Sequence, residues 1–489
     1  MEERSIFLNL SPLDHRYLLA NRELFESLSL YLSEEAGVRY SLRCEVELLL
    51  ALMEEREGGR PEAEVLSELQ KLPELIPPEE IYREEAKTHH NIRALVNVLK
   101  THVPVRYRPL VHLGATSADI LETSAALRIR DAVREVILPR AIDLVSRLCG
   151  IAEQEAKTPQ IGRTHGQHAV PITFGFAVAE YVSRLGKSVE RMERKSADLR
   201  GKLSGAVGAY NALSLVAADP GKLEKRFLHG LGLEPSEHST QIAEPEHLLE
   251  LLLEVNTAFG ILANLADDLR NLQRTEIGEV REHFSSSQVG SSTMPQKRNP
   301  WNSEHVKSLW KAFAPRIVSF CMDQISEHQR DLTNSASSRF VADYLAGFAA
   351  ALNRMGAVLA SLEVDRERML ANLRSTGGFV AAEPLYILLS LAGEADAHEA
   401  VRRLTLEAEK SGKPLADVLK ESGAYPKLKD LGTPAGKGGS LGPGPGASVD
   451  DLLDSPETYA GLAAAKAARL ARLYRKKMNA VSKRLTGGK

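Results

Sequence analysis

The chain has 489 residues, of which 43% are hydrophobic and 26% charged, enough to bury a substantial core across about three domains. Its 62 basic and 65 acidic side chains leave a formal net charge of -3, which excludes bulk electrostatic attraction to nucleic acid or to an anionic membrane. Any hold on an anion must come from a local cluster.

The three cysteines, Cys44, Cys149 and Cys321, lie far apart with no Cys-x-x-Cys or Cys/His metal spacing. They read as buried, reduced thiols of a cytoplasmic protein. The N-terminus is acidic from Glu2 onward and lacks the apolar run of a signal peptide. No stretch approaches the ~18 consecutive apolar residues of a membrane span.

In chain order, residues 1–112 read as an N-terminal helical domain. It opens on the turn-forming Ser11-Pro-Leu-Asp-His-Arg-Tyr17; then Leu42, Val46, Leu49, Leu50 and Met53 recur at helical steps. Pro73, Pro77 and Pro78 punctuate the chain before a helix near Thr88-His89-His90-Asn91. Adjacent histidines point to different faces of a helix, so one is expected to cap and one to lie on the surface.

Residues 113–365 read as a central bundle of long helices. The series Leu248, Leu252, Val255, Phe259, Leu262, Ala266, Leu269 has the four-and-three step of a bundle seam. A helix running on to Arg281 would be roughly 50 Å long. Phe174, Val178, Tyr181, Leu185, Val189 and Met192 keep nearly the same rhythm. A third helix starts near Ile120, and Pro139 must kink or end it. A fourth spans 306–322 around Pro315, and a fifth 344–362. The run Leu248-Leu-Glu-Leu-Leu-Leu253 is apolar around much of its circumference, so other copies of the chain are expected to complete the bundle.

Residues 366–489 read as shorter helices interrupted by a Gly/Pro-rich loop at 431–447. The basic stretch at the end lacks interleaved aromatics and reads as solvated. With no strand-rich block, the fold class is all-α.

Four polar islands interrupt the helices, each expected at or near a helix boundary: Gly114-Ala-Thr-Ser-Ala-Asp119, Gly162-Arg-Thr-His-Gly-Gln-His168, Ser239-Thr-Gln241, and the loop from Phe284 to Pro300. Any single island is best explained as a capping sequence. Together, with no metal-ligand spacing, they favour a composite active site. The loop sets hydroxyls, the hinge-capable Gly290 and two cations ahead of a restarting helix, the pattern of a mobile segment that meets an anion.

Gly290-Ser-Ser-Thr-Met-Pro-Gln-Lys-Arg-Asn-Pro300 resembles the signature loop of the fumarase/aspartase superfamily, whose members eliminate fumarate from succinyl-bearing substrates beside a lactonising cycloisomerase branch. Ser11 to Tyr17, His112-Leu-Gly-Ala-Thr-Ser-Ala-Asp119, Gly162 to Gly175, Gly201-Lys-Leu-Ser-Gly-Ala-Val-Gly208 and Arg330 to Arg339 bring the resemblance closest to the adenylosuccinate lyase family. What it implies is a three-domain fold whose long-helix bundle forms a homotetramer core, with active sites shared between subunits, acting on succinyl-purine nucleotides without metal or organic cofactor. By resemblance Ser291 is the base and His165 the acid, Glu304 orients His165, and Lys297 and Asn299 hold the developing carbanion and its carboxylates. Arg16, Tyr17, Ser335 and Arg339, with Arg330 near, would hold a phosphate, and His90 would lie between phosphate and reacting centre. Thr116, Ser117, Thr164 and Gln241 would bind the succinyl carboxylates or position them, and Asn91 and Met294 are counted by the same resemblance among the substrate-binding residues. The sequence departs from the family pattern at His90-Asn91, where His-Asp is usual, at Gln296, where His is usual, and at Pro245-Glu246-His247, where an Arg-Asp-Arg-like run is usual. The rival readings are argininosuccinate lyase, the carboxymuconate cycloisomerase, or a catalytically silent structural homologue.

Overall fold

The computed structural model of the chain describes residues 5–59, 61–285, 290–429 and 448–487. The insertion at 431–447 and four positions of the loop after Phe284 lie outside the described residues. Helices dominate, in the order α1 (Arg16–Ala20), α2 (Arg22–Leu32), α3 (Glu34–Glu57), α4 (Ala63–Leu75), α5 (Pro78–Thr88), α6 (Asn91–His102), α7 (Ser117–Ala132) and α8 (Leu138–Gln154). The hairpin β1 (Pro159–Thr164) and β2 (Gln167–Thr173) precedes α9 (Phe174–Ala197), β3 (Arg200–Gly201), α10 (Pro220–Gly230) and β4 (Glu234–Pro235). Then come α11 (Glu246–Leu272), β5 (Val280–Arg281), α12 (Trp301–Phe313), α13 (Ile317–Met322), α14 (Val341–Ala360), β6 (Glu363–Val364) and α15 (Arg366–Arg374). The chain ends with α16 (Ala382–Leu391), α17 (Ala397–Ser411), α18 (Leu415–Glu421), α19 (Tyr425–Lys429), α20 (Val449–Asp454) and α21 (Ala463–Thr486).

Two compact units divide these elements. One comprises Met1–Arg140, Ser188–Gly260 and Ser308–Asn353, the other Ala141–Lys187, Ile261–Lys307 and Arg354–Lys489. In the first, the α3 stripe Leu42, Val46, Leu49, Leu50 and Met53 is buried among Ile92, Leu95, Leu127 and Phe227. Burial of a Leu or Val side chain contributes about 1.5–3 kcal/mol, and because Leu48, Ala51 and Leu52 are buried as well, α3 is enclosed on all sides in this stretch. In the second unit, Leu385, Leu389, Val401, Leu415, Leu419 and Leu452 form the core of the C-terminal helices.

The apolar periodicities hold. Every named position on α9 from Phe174 to Met192 is buried, as are Leu252, Val255, Phe259, Leu262, Ala266 and Leu269 on α11. Helix α11 is shorter than the roughly 50 Å its continuation to Arg281 would give: it ends at Leu272, about 40 Å long. Gly278, at φ +63°, turns the chain back so that Glu279 reaches the interior, fully buried. By length and composition α11 could cross a membrane, but 56% of its apolar window is buried inside the chain, as in a core helix. Pro139 neither kinks nor stops its helix outright. A turn of π-helix at Val133–Ile137 links α7 to α8 where the proline cannot supply an N–H. Pro315 interrupts its helix with a 3₁₀ turn between α12 and α13.

Two sequence readings are corrected. Cys44 and Cys149 are buried, but Cys321 is exposed, on α13 beside the exposed Val318 and Met322. The island at 162–168 does not flank a helix. It is the tip of the β1–β2 hairpin.

Candidate active site

His165 and Gly166 form a two-residue hairpin turn between Thr164 and Gln167, with φ of +53° and +75°, as type I′ turns require. Left-handed backbone is costly for a histidine, so something must hold the hairpin. The holder is the buried Glu279 carboxylate: it accepts from Arg163 Nη2 at 2.6 Å, Gln160 Nε2 at 2.7 Å and Asn372 Nδ2 at 2.9 Å. Two of these donors lie on β1, so the base of the hairpin is fixed while Thr164 and His165 stand exposed at its tip.

The loop leading to α12 is stapled at its base. Glu282 accepts the backbone N–H of Asn302 (3.2 Å) and Ser303 (2.7 Å) and both their side chains, satisfying the open amides at the start of α12. Gln273 accepts the N–H of Glu282 and donates to the carbonyl of Arg298. Within the loop, Ser291 Oγ accepts N–H bonds from Met294 at 3.1 Å and Thr293 at 3.4 Å. Asn299 Nδ2 donates to the Gly290 carbonyl at 3.1 Å. A Cβ on Gly290 would stand 2.2 Å from the Lys297 carbonyl oxygen, so only glycine lets the two arms of the loop approach. The loop thus gathers Ser291, Met294, Lys297 and Asn299. Lys297 makes no ion pair or side-chain hydrogen bond among the described residues. Glu304 is exposed in the first turn of α12, and no hydrogen bond or ion pair joins it to His165 among the described residues of this one chain.

The other unit carries the remaining residues. Thr116 caps α7, its N–H donating to Asp119 Oδ2 at 2.8 Å, and Ser117 is the first helical residue. Arg330 Nη1 donates to Gln241 Oε1 at 3.1 Å, so these two meet. Arg330 and Ser335 also line a cavity of about 200 Å³ with Glu122, Ala243, His247 and Phe320. Arg16 begins α1, and Arg339 lies on a 3₁₀ turn; both are exposed. Tyr17 is half-buried in α1. His90 caps α6, its Nδ1 accepting the N–H of Arg93, while His89 closes α5 in left-handed backbone. The Asn91 side chain accepts the N–H of Ile92.

One candidate escaped the sequence reading although it opens a quoted motif. His112, at φ +62°, hydrogen-bonds through Nδ1 to the fully buried Glu45 at 2.6 Å. Burial opposes the charged imidazole, but the Glu45 hydrogen bond and charge outweigh it and raise the His112 pKa. A histidine raised above its unfolded value stabilises the fold fully below the unfolded pKa of about 6.5 and loses that contribution as pH climbs through the folded value. The gap in unfolding midpoint between wild type and His112→Asn should therefore be widest below the unfolded pKa of about 6.5 and narrow as pH rises above it. A gap independent of pH, read by thermal denaturation, would contradict this coupling.

Comparison with known proteins defines the class first. A family model described as "Lyase" matches residues 77–312, and one described as "Adenylosuccinate lyase C-terminal" matches residues 326–431. The fold is that of 3-carboxy-cis,cis-muconate lactonizing enzyme from Pseudomonas putida, with TM-score 0.76, 25% identity and coverage of 96% of this chain and 100% of that one. Fumarate lyase from Mesorhizobium sp. matches with TM-score 0.76 at 23% identity, over 92% and 97% of the two chains. Adenylosuccinate lyase of Pyrococcus horikoshii is 36% identical over 77% of this chain and 84% of its own length. That of Methanothermobacter thermautotrophicus is 33% identical over 88% and 92%. The chain belongs to the adenylosuccinate lyase family, and it is a carbon-nitrogen lyase.

Proposed function

We propose that this enzyme splits adenylosuccinate into AMP and fumarate in purine nucleotide biosynthesis, and likewise releases fumarate from the succinylated aminoimidazole carboxamide ribotide. The observation that carries the reading is the loop geometry: Ser291 Oγ receives two backbone N–H groups beside Lys297 and Asn299. Donors aimed at a hydroxyl oxygen stabilise its alkoxide, which a serine needs in order to act as a base.

Ser291 takes the proton from the succinyl carbon next to a carboxylate. The electron pair left behind spreads onto that carboxylate, where Lys297 and Asn299 meet the charge. It then forms the fumarate double bond as the carbon-nitrogen bond breaks, and His165 gives the leaving nitrogen a proton. Glu304 orients the His165 imidazole. Thr116, Ser117, Thr164 and Gln241 receive the succinyl carboxylates, and Arg16, Tyr17, Arg330, Ser335 and Arg339 receive the phosphate, the guanidinium fork suiting its oxygens. No step calls for a metal or an organic cofactor.

We place the enzyme in the cytoplasm as a homotetramer with active sites shared between subunits, organised as domains 1–112, 113–365 and 366–489. Support for assembly comes from apolar side chains left exposed in one chain, among them Ile325 at 78%, Leu332 at 72% and Phe340 at 51%. That no hydrogen bond or ion pair joins Glu304 to His165 among the described residues supports a pairing made across copies.

The phosphate cluster is tested by comparing adenylosuccinate with its dephosphorylated nucleoside. The nucleotide should be preferred in kcat/KM by on the order of 10²–10³-fold, and Arg339→Ala should remove most of that preference. Equal turnover of both by the wild type would contradict a phosphate-binding role.

A further inference from the structure

We propose that the buried Asp119–Lys202 ion pair is a positioning device that holds the succinyl-binding edge of the site in register. This rests on the reading above that Thr116, Ser117 and Gln241 receive succinyl carboxylates. Both side chains are completely buried, so neither can touch substrate.

Asp119 lies in the first turn of α7 and Lys202 just after β3, 83 residues later. Besides the Lys202 ammonium, the Asp119 carboxylate accepts the N–H groups of Thr116 (2.8 Å), Ser204 (3.1 Å) and Gly205 (3.2 Å). Lys202 Nζ also donates to the Gly205 carbonyl at 3.3 Å. Thr123 Oγ1, one turn along α7, both accepts from the N–H and donates to the carbonyl of Lys202, each at 3.1 Å. One carboxylate thus ties the start of α7 to segment 202–205.

That segment passes the register onward. Ser204 Oγ hydrogen-bonds Ser239 Oγ at 2.7 Å. Gly208, at φ +80°, lies so close that a Cβ would meet the Ser239 carbonyl oxygen at 1.9 Å. Segment 239–241 then delivers Gln241 to Arg330. Thr116, Ser117, Gln241 and Arg330 therefore share one buried anchor. A buried ion pair is poor evidence for stability, because an apolar pair of similar volume is often as stable or more so. What a well-packed apolar pair could not do is receive four donors from two segments at once.

Three variants and one measurement on the unmodified chain test this. Asp119→Asn and Lys202→Met each leave a charge buried without its partner and should lower the unfolding midpoint. In folded protein each should raise KM for adenylosuccinate by on the order of 10- to 100-fold, with a much smaller change in kcat. The double variant Asp119→Asn/Lys202→Met buries no unpaired charge and should regain stability while KM stays high. Recovery of KM together with stability, or a KM within about 2-fold of wild type in a folded variant, would overturn the proposal. In the wild-type chain the amides of Thr116, Ser204 and Gly205 should exchange slowly as one unit; exposed-loop rates at any of the three would also overturn it. A wild type that releases no fumarate from either succinyl nucleotide would sink the functional reading, yet the exchange result would still decide the positioning claim.

Discussion

Ser291→Ala is expected to cut fumarate release by on the order of 10³-fold, the scale of general-base catalysis, while the unfolding midpoint stays close to wild type. The hydroxyl's only described hydrogen bonds are those it accepts from Thr293 and Met294 in its own turn, so its removal opens no hole in a core. Two weakly placed N–H bonds lost in a partly solvated loop cost at most about 1 kcal/mol of local order. KM should change little, since Lys297, Asn299 and the phosphate cluster remain. A variant that keeps more than about a tenth of wild-type kcat would remove Ser291 from the role of base.

The second large effect is a recovery. Ser291→Ala and His165→Ala chains, each inactive alone, should regain activity when unfolded, mixed in equal amounts and reassembled. If each site draws Ser291 and His165 from different copies, random mixing leaves about a quarter of the sites with both groups intact. Both side chains suit such sharing. Thr164 and His165 project from the tip of a hairpin held by Glu279, and among the described residues no hydrogen bond or ion pair joins Glu304 to His165. Mixed tetramers that form but stay inactive would show that one chain supplies both groups.

The sequence made the helical frame legible because its signal is local. The stripes on α3, α9 and α11 are buried where their three- and four-residue steps place them, except Leu248 at the start of the α11 series, which is only partly buried. The hairpin was hidden. Gly162 sits at a register shift in β1, Pro171 lies inside β2 where proline is rare, and His165-Gly166 is not a common turn pair, so no clean strand signal remained. The end of α11 was hidden too, since nothing before Gly278 marks a stop. The loop motif exposed Ser291, Lys297 and Asn299 as a group, and the structure adds which amides face Ser291. The buried carboxylates Glu45, Asp119 and Glu279 were illegible as anchors. Their partners lie 67, 83 and 116 residues away, and no short-range pattern announces a contact of that span.

The most direct measurement is fumarate release, followed by ultraviolet absorbance, with the purified protein offered adenylosuccinate and argininosuccinate in parallel, while loss of the cycloisomerase's carboxymuconate substrate is followed separately by its own absorbance. Rapid fumarate formation from adenylosuccinate, with no turnover of the other two, is the predicted result. Turnover of argininosuccinate alone would contradict the account.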